Sequence, residues 1–252
     1  MKKLWAFGDS YSTPFWYEPD TSGLSYKIRY SKFKGYTPKI ATEFIAQELG
    51  YEFVWECHVP HDNESIFETI IDVIDKIEEG DMVIVGWAPL HRTRFINWIN
   101  NCWNIYNITD DNNDMFEKGF LSSKSLEQIA VNKDHRLQKE YLEKLQKLIK
   151  FALKKNEVIF WQWDYINRLI TKLEFDGNMS NSITNKFSIG MESITEETNG
   201  VVEDSHWSEN GHEKFAAWFI ENYKNNIILN KIYENLNYHE INKIIYILRG
   251  KY

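Results

Sequence analysis

The segment "DNESIFETIIDVIDKIEEGDMVIVGW", residues 62–87, limits the possible folds more than any other stretch. Ile66, Ile70, Val73, Ile74 and Ile77 recur at three- and four-residue steps, so they form one apolar stripe of an amphipathic helix. Asp62 or Asn63 can cap its start, and Gly80 closes it. The next seven residues, "DMVIVGW", run apolar without alternation, the pattern of a strand buried on both faces. A helix that feeds a doubly buried strand belongs to a parallel sheet with helices on both sides.

The same alternation continues elsewhere. "KLWAFG" (3–8), "YEFVWECHV" (51–59) and "EVIFWQW" (157–163) read as further strands. Pro38 opens a helix through "KIATEFIAQELG", which Gly50 closes. Residues 137–156 form an amphipathic helix through Leu142, Leu145, Ile149 and Ala152, and Ser208 caps a later one. Residues 13–37 read as a long loop, 100–135 as polar with "TDDNND" exposed, and 176–200 as poor in pattern. The expected fold is α/β: a three-layer α/β/α sandwich of the flavodoxin-like kind, with a mostly parallel sheet of about five strands. No repeat or linker divides residues 1–252, so one domain is expected, with an extra helical segment at about 225–252 carrying Ile241, Ile244, Ile245 and Leu248.

Charge and cysteine content narrow the partners. Lys and Arg number 29 against 37 Asp and Glu, a formal charge of −8, which argues against nucleic acid as a partner. Cys57 and Cys102 lack metal-ligand spacing. "MKKLWAFG" starts like a signal peptide, but Gly8 and Asp9 cut its apolar run short, and no stretch is long enough to span a membrane. A soluble, cytoplasmic protein is the expectation, or a virion-associated one if a bacteriophage encodes it. Aromatic residues make up 15% of the chain, which suits either a large core or an aromatic-lined groove.

Reactive groups in parallel sheets gather at the carboxyl ends of the strands. Ser10, in "FGDSYS", falls just past the first one. A serine hydroxyl becomes a nucleophile when a base takes its proton, usually a His oriented by a carboxylate. His206, in "EDSHWSENGH", is the best placed base, with Glu203 and Asp204 beside it. His212 falls inside the following helix, where capping or packing is its expected role. Asp9 is expected to hold the loop by hydrogen bonds.

These two motifs resemble those of the SGNH (GDSL-type) hydrolases. The resemblance implies a three-layer α/β/α fold with five parallel strands, a Ser10 nucleophile, a His206 base, and hydrolysis of esters, thioesters or acetyl groups on sugars and lipids. It makes Asp204 the preferred partner of His206, with Glu203 as the alternative. The family's second block is similar to "HVPHDNESIF", which implies Asn63 at a helix start facing the nucleophile. Its third block matches Gly86 in "VGWAPLHR", but the oxyanion-binding Asn is missing there. The implied oxyanion site is therefore the Ser10 N–H, Gly86 and the Asn63 amide.

Trp87 and Trp207 flank the expected site and can stack on a sugar or acyl chain, with core packing as the competing role. Arg92 and Arg94 can offer charge to an anionic substrate group, with an ordinary surface position as the competing reading of equal weight. His58, His61 and Asp62 match no common metal motif, and no Gly-x-Gly-x-x-Gly follows the first strand, so neither a metal nor a nucleotide cofactor is expected. The leading expectation is a serine hydrolase acting on a small-molecule or glycan ester. The alternative is a carbohydrate-binding or structural module of the same fold with eroded catalysis.

Overall fold

The computed structural model describes residues 1–17, 25–56, 62–88, 92–97, 102–107, 135–162, 192–204 and 206–224. Strands β1 (Lys3–Gly8), β2 (Glu52–Trp55), β3 (Met82–Trp87) and β6 (Glu157–Gln162) form one sheet in the order β2-β1-β3-β6. Every pairing in it is parallel, and Gly8 of β1 lies opposite Gly86 of β3. The order reverses direction on either side of β1, so the carboxyl ends of β1 and β3 flank the crevice where such sheets take ligands.

Each central strand is buried on both faces, as its unbroken apolar run requires. Leu4, Ala6, Met82, Ile84, Ile159 and Trp161 point to one side, against α2 (Ala41–Leu49) and α6 (Glu209–Lys224). Trp5, Phe7, Val83, Val85, Val158 and Phe160 point to the other. There they meet Ile66, Ile70 and Val73 of α3 (Asn63–Val73), and Leu142, Leu145 and Ile149 of α4 (His135–Ala152). The α4 stripe continues into buried Leu153, while Ala152, expected in it, is exposed.

Local chemistry sets the helix ends. Asp62 is the cap of α3: its Oδ1 accepts the Ser65 N–H at 2.7 Å, which leaves Asn63 as the first helical residue. The helix ends in a short 3₁₀ turn, Ile74–Lys76, before Gly80. Helix α2 begins later than Pro38 suggests, because the Glu43 carboxylate accepts the Ile40 N–H at 2.9 Å and fixes the start there.

Two elements depart from the expected pattern. Helix α1 (Ser25–Lys34) lies within the stretch expected to be loop. It buries Tyr26, Lys27 and Tyr30, so it shows no aliphatic stripe. Strands β4 (Arg92–Asn97) and β5 (Cys102–Asn107) pair antiparallel; β5 falls inside the stretch 100–135 that reads as polar, and β4 precedes it. Four parallel strands are present among the described residues. The expected tail helix at 225–252, most of 176–200, and Cys57, His58 and His61 lie outside them. No helix of the described residues is long and apolar enough to cross a membrane.

Candidate active site

Ser10 stands in a tight turn at the carboxyl end of β1. The Asp9 carbonyl accepts the Ser12 N–H at 2.9 Å and the Thr13 hydroxyl at 3.0 Å, and the Asp9 carboxylate accepts the Tyr11 N–H at 3.1 Å. Asp9, 1% exposed, therefore builds the turn from inside, the structural role its position suggested. Gly8 makes the turn possible. A Cβ on it would lie 2.3 Å from the Ser12 hydroxyl oxygen and 2.7 Å from the Gly86 carbonyl oxygen, too close for any side chain.

The opposing wall comes from residues 192–208. Ser193 caps the short helix α5 (Ile194–Glu197), with Glu196 returning a bond to the Ser193 N–H at 2.7 Å. Asn199 and Gly200, both at left-handed φ (50° and 81°), then reverse the chain. The returning strand bonds back to α5: Ile194 N–H to His206 O at 2.9 Å, and Thr195 N–H to Asp204 O at 3.1 Å. The Thr195 hydroxyl closes a second link, accepting the Asp204 N–H at 2.7 Å. Ile194 and Val202 anchor the segment in an apolar cluster with Phe15, Tyr26, Tyr30 and Ile40.

The two walls meet at three side chains. The Ser10 Oγ lies 2.8 Å from His206 Nε2, and His206 Nδ1 lies 2.6 Å from Asp204 Oδ1. Because a carboxylate only accepts, Nδ1 carries the proton, and Nε2 presents its lone pair to the serine hydroxyl. The same Asp204 oxygen accepts the His206 backbone N–H at 2.8 Å, so ring and backbone hold the carboxylate together. Burial pushes the Asp204 carboxyl upward, but the hydrogen bonds and charge of His206 outweigh it and hold it below the usual carboxylate range. Glu203, the alternative, is exposed; Asp204 is the acid at the ring.

Two aromatic rings flank His206. Tyr26 stacks on it at 4.5 Å and 9°, and Tyr11 tilts against it at 4.5 Å and 38°. Sequence reasoning missed both, along with Lys27, whose amine donates to the carbonyls of Thr13 and Pro14. Tyr11 adjoins the motif serine, a signal available in the sequence. Tyr26 and Lys27 sat in the presumed loop and gave none.

The remaining expected residues separate. Asn63 sits at the start of α3, and its amide donates to the Ala88 carbonyl at 3.1 Å, just past the end of β3. Gly86 is the register partner of Gly8, so both positions border the crevice. Trp87 belongs to the core instead of a substrate surface: it is 0% exposed and stacks on Phe160 at 5.8 Å. Its alternation with Val83 and Val85 turns it toward α3 and α4. Trp207 is half-buried against Tyr11, His212 and Phe215. Arg92 and Arg94 stand in β4 as backbone positions paired with Asn107 and Ile105, and their side chains lie outside the described structure. His212 is fully buried, as its packing role required, and burial drives its ring down to about 3.

No protein-family model, curated protein or solved structure matches this chain.

Proposed function

We propose that this chain is a serine hydrolase of the SGNH type, cleaving ester bonds through an acyl-enzyme on Ser10. The observation that carries this reading is the continuous Ser10–His206–Asp204 contact, with 2.8 Å and 2.6 Å links joining residues 196 positions apart. A surface serine and histidine have no reason to meet beside a carboxylate that fixes the reactive tautomer.

The steps follow from the donors and acceptors. The Ser10 Oγ attacks the ester carbonyl carbon while His206 Nε2 takes the hydroxyl proton. Asp204 accepts from Nδ1 throughout and stabilises the imidazolium, and the Tyr26 and Tyr11 rings keep it in plane. The carbonyl oxygen becomes an oxyanion, for which the Ser10 N–H, the Gly86 region and the Asn63 amide are the proposed donors. One Asn63 N–H is held by Ala88, and a primary amide has a second to give. Proton return from His206 to the leaving alkoxide releases the alcohol and leaves the acyl group on Ser10. A water deprotonated by His206 then attacks the acyl carbon, the bond to Ser10 Oγ breaks, and His206 returns the proton to Oγ as the acid leaves. The proposed substrate is a small acyl group, such as O-acetyl, on a glycan or lipid; the resemblance supports this, and half-buried Trp207 supplies an aromatic edge near His206.

One observation favours the alternative, a binding module with eroded catalysis: the residues after β3 read "VGWAPLHR", without the family's oxyanion Asn. A fluorophosphonate probe and a p-nitrophenyl acetate assay separate the two. Labelling and turnover in the wild-type chain that vanish in Ser10→Ala support the hydrolase. An unlabelled wild-type chain that still binds a glycan supports the module.

A further inference from the structure

We propose that Lys27 is a positioning residue that ties the turn of Ser10 and the ring of His206 into one unit. This rests on the reading of Ser10 and His206 as nucleophile and base. Lys27 projects from α1 into the interior and is 2% exposed, an unusual place for a lysine. Among the described residues no carboxylate pairs with it. Its amine donates to the Thr13 carbonyl and, at 3.1 Å, to the Pro14 carbonyl. These two carbonyls terminate the turn that Asp9 starts, so nucleophile and lysine share four residues of backbone.

The same amine lies 5.3 Å from the Phe15 ring centroid and 5.9 Å from that of Tyr26. Tyr26 is the ring stacked on His206. A group with donors only, seated between two carbonyls and two aromatic faces, has its charge stabilised by dipoles and ring faces, with Glu43, Asp9 and Asp204 adding attraction from further off. A movement of the Lys27 head is therefore felt on one side as displacement of residues 13–15 and on the other as displacement of the His206 stack. A misplacement of about 1 Å at such a pair can cost about 10²-fold in rate.

The charge on this clamp is sensitive to pH. Burial pulls the Lys27 amine down to about 7, against the raising influence of Glu43 on α2, Asp9 in the turn and Asp204 beside His206. Among the described residues, His212 of α6 and the Tyr26 phenol also face it. Below about 7 the amine is charged and its carbonyl bonds are charge-assisted; above it the assistance is lost. A guanidinium in its place stays charged.

The test uses the full chain as wild type, Lys27→Met, Lys27→Arg and Tyr26→Leu. Two readouts are taken: the rate of fluorophosphonate labelling against pH, and the low-field proton NMR signal of the His206 Nδ1–H held by Asp204. Lys27→Met is expected to label at least about tenfold more slowly and to lose or shift the low-field signal. Lys27→Arg restores most of the rate and lacks the decline that the wild type shows above about pH 7. Should Lys27→Met not fold, Tyr26→Leu decides: it keeps the carbonyl bonds and breaks the stack, and a comparable slowing supports the clamp. Lys27→Met with wild-type labelling and an unchanged low-field signal overturns the proposal, as does an alkaline decline identical in Lys27→Arg and wild type, or a Tyr26→Leu rate equal to wild type. If the wild type never labels yet its low-field signal disappears in Lys27→Met, the positioning role stands and the hydrolase reading fails.

Discussion

The two walls of the site are built by different means. The nucleophile's turn hangs directly from β1, a strand with its last five residues buried and partners on both sides. Among the described residues the acid–base segment has no sheet behind it. It is held by a four-residue helix, one isolated bridge between Ser193 and Trp207, a handful of loop hydrogen bonds, the buried side chains of Ile194 and Val202, and the Lys34–Glu197 ion pair to α1. The difference teaches that only one side of the pair needs a rigid mount. The turn fixes where the hydroxyl stands, and the segment has to deliver one ring, which Tyr11 of the turn and Tyr26 of α1 then pin. The contrast predicts that damage to the turn removes chemistry outright, whereas damage to the segment misorients it.

The largest expected effect is on the turn. Ser10→Ala is expected to abolish fluorophosphonate labelling and lower ester turnover by about 10⁴-fold or more, with thermal stability within about 0.5 kcal/mol of wild type. Residual turnover above a tenth of wild type would place the nucleophile elsewhere. On the segment, Asp204→Asn is expected to cost roughly 10³–10⁴-fold in kcat, because the amide favours the wrong imidazole tautomer. Glu203→Gln, which changes an exposed neighbour, should leave kcat within about twofold. Equal losses in the two variants would erase the distinction between the acids. Asn63→Ala, between the walls, is expected to lower kcat by about 10²–10³-fold with little change in KM. An unchanged kcat would remove Asn63 from the oxyanion site.

How far the sequence foretold this depends on the same contrast. The strands β1 and β3 were legible because unbroken apolar runs leave few alternatives, and Ser10 was legible because it follows one of them. His206 was found by motif, and the motif favoured Asp204 while leaving Glu203 open. The two acids are adjacent in sequence, and the decision is made by Thr195 of α5, nine residues upstream, which grips the Asp204 backbone in the returning loop. Helix α1 was hidden because what it buries, two tyrosines and a lysine, carries no aliphatic period; Lys27 is interior only because carbonyls await its amine. Trp87 was left between substrate stacking and core packing because position put it by the site, and strand alternation turns it into the core. The strand pair was legible in principle: "RTRFIN" and "CWNIYN" are rich in β-formers, and the four residues between them, "WINN", end in two asparagines.

The smallest effect at neutral pH, and the one that tests how the walls are joined, concerns His212. This residue of α6 packs edge-on against Phe15 of the nucleophile's loop at 6.1 Å and against Trp207 of the segment at 5.7 Å. It thus sits where the two walls close. Burial, with help from Lys27 and His206, lowers its ring from 6.5 to about 3, and its Nδ1 has no hydrogen-bond partner among the described residues. Between those two values the unfolded chain binds a proton that the folded chain refuses. Stability from this group is therefore complete above about 6.5, falls as pH drops below it, and stops falling near 3. His212→Leu removes the titration. Its melting temperature should match the wild type within a few degrees at pH 7 and decline less steeply from pH 6 to 4, an interval inside that window. Asp204 does not produce the difference, since its lowered carboxyl is present in both chains. Parallel melting curves across that interval would mean that His212 is protonated without cost, and the tight closure of the two walls around it would have to be abandoned.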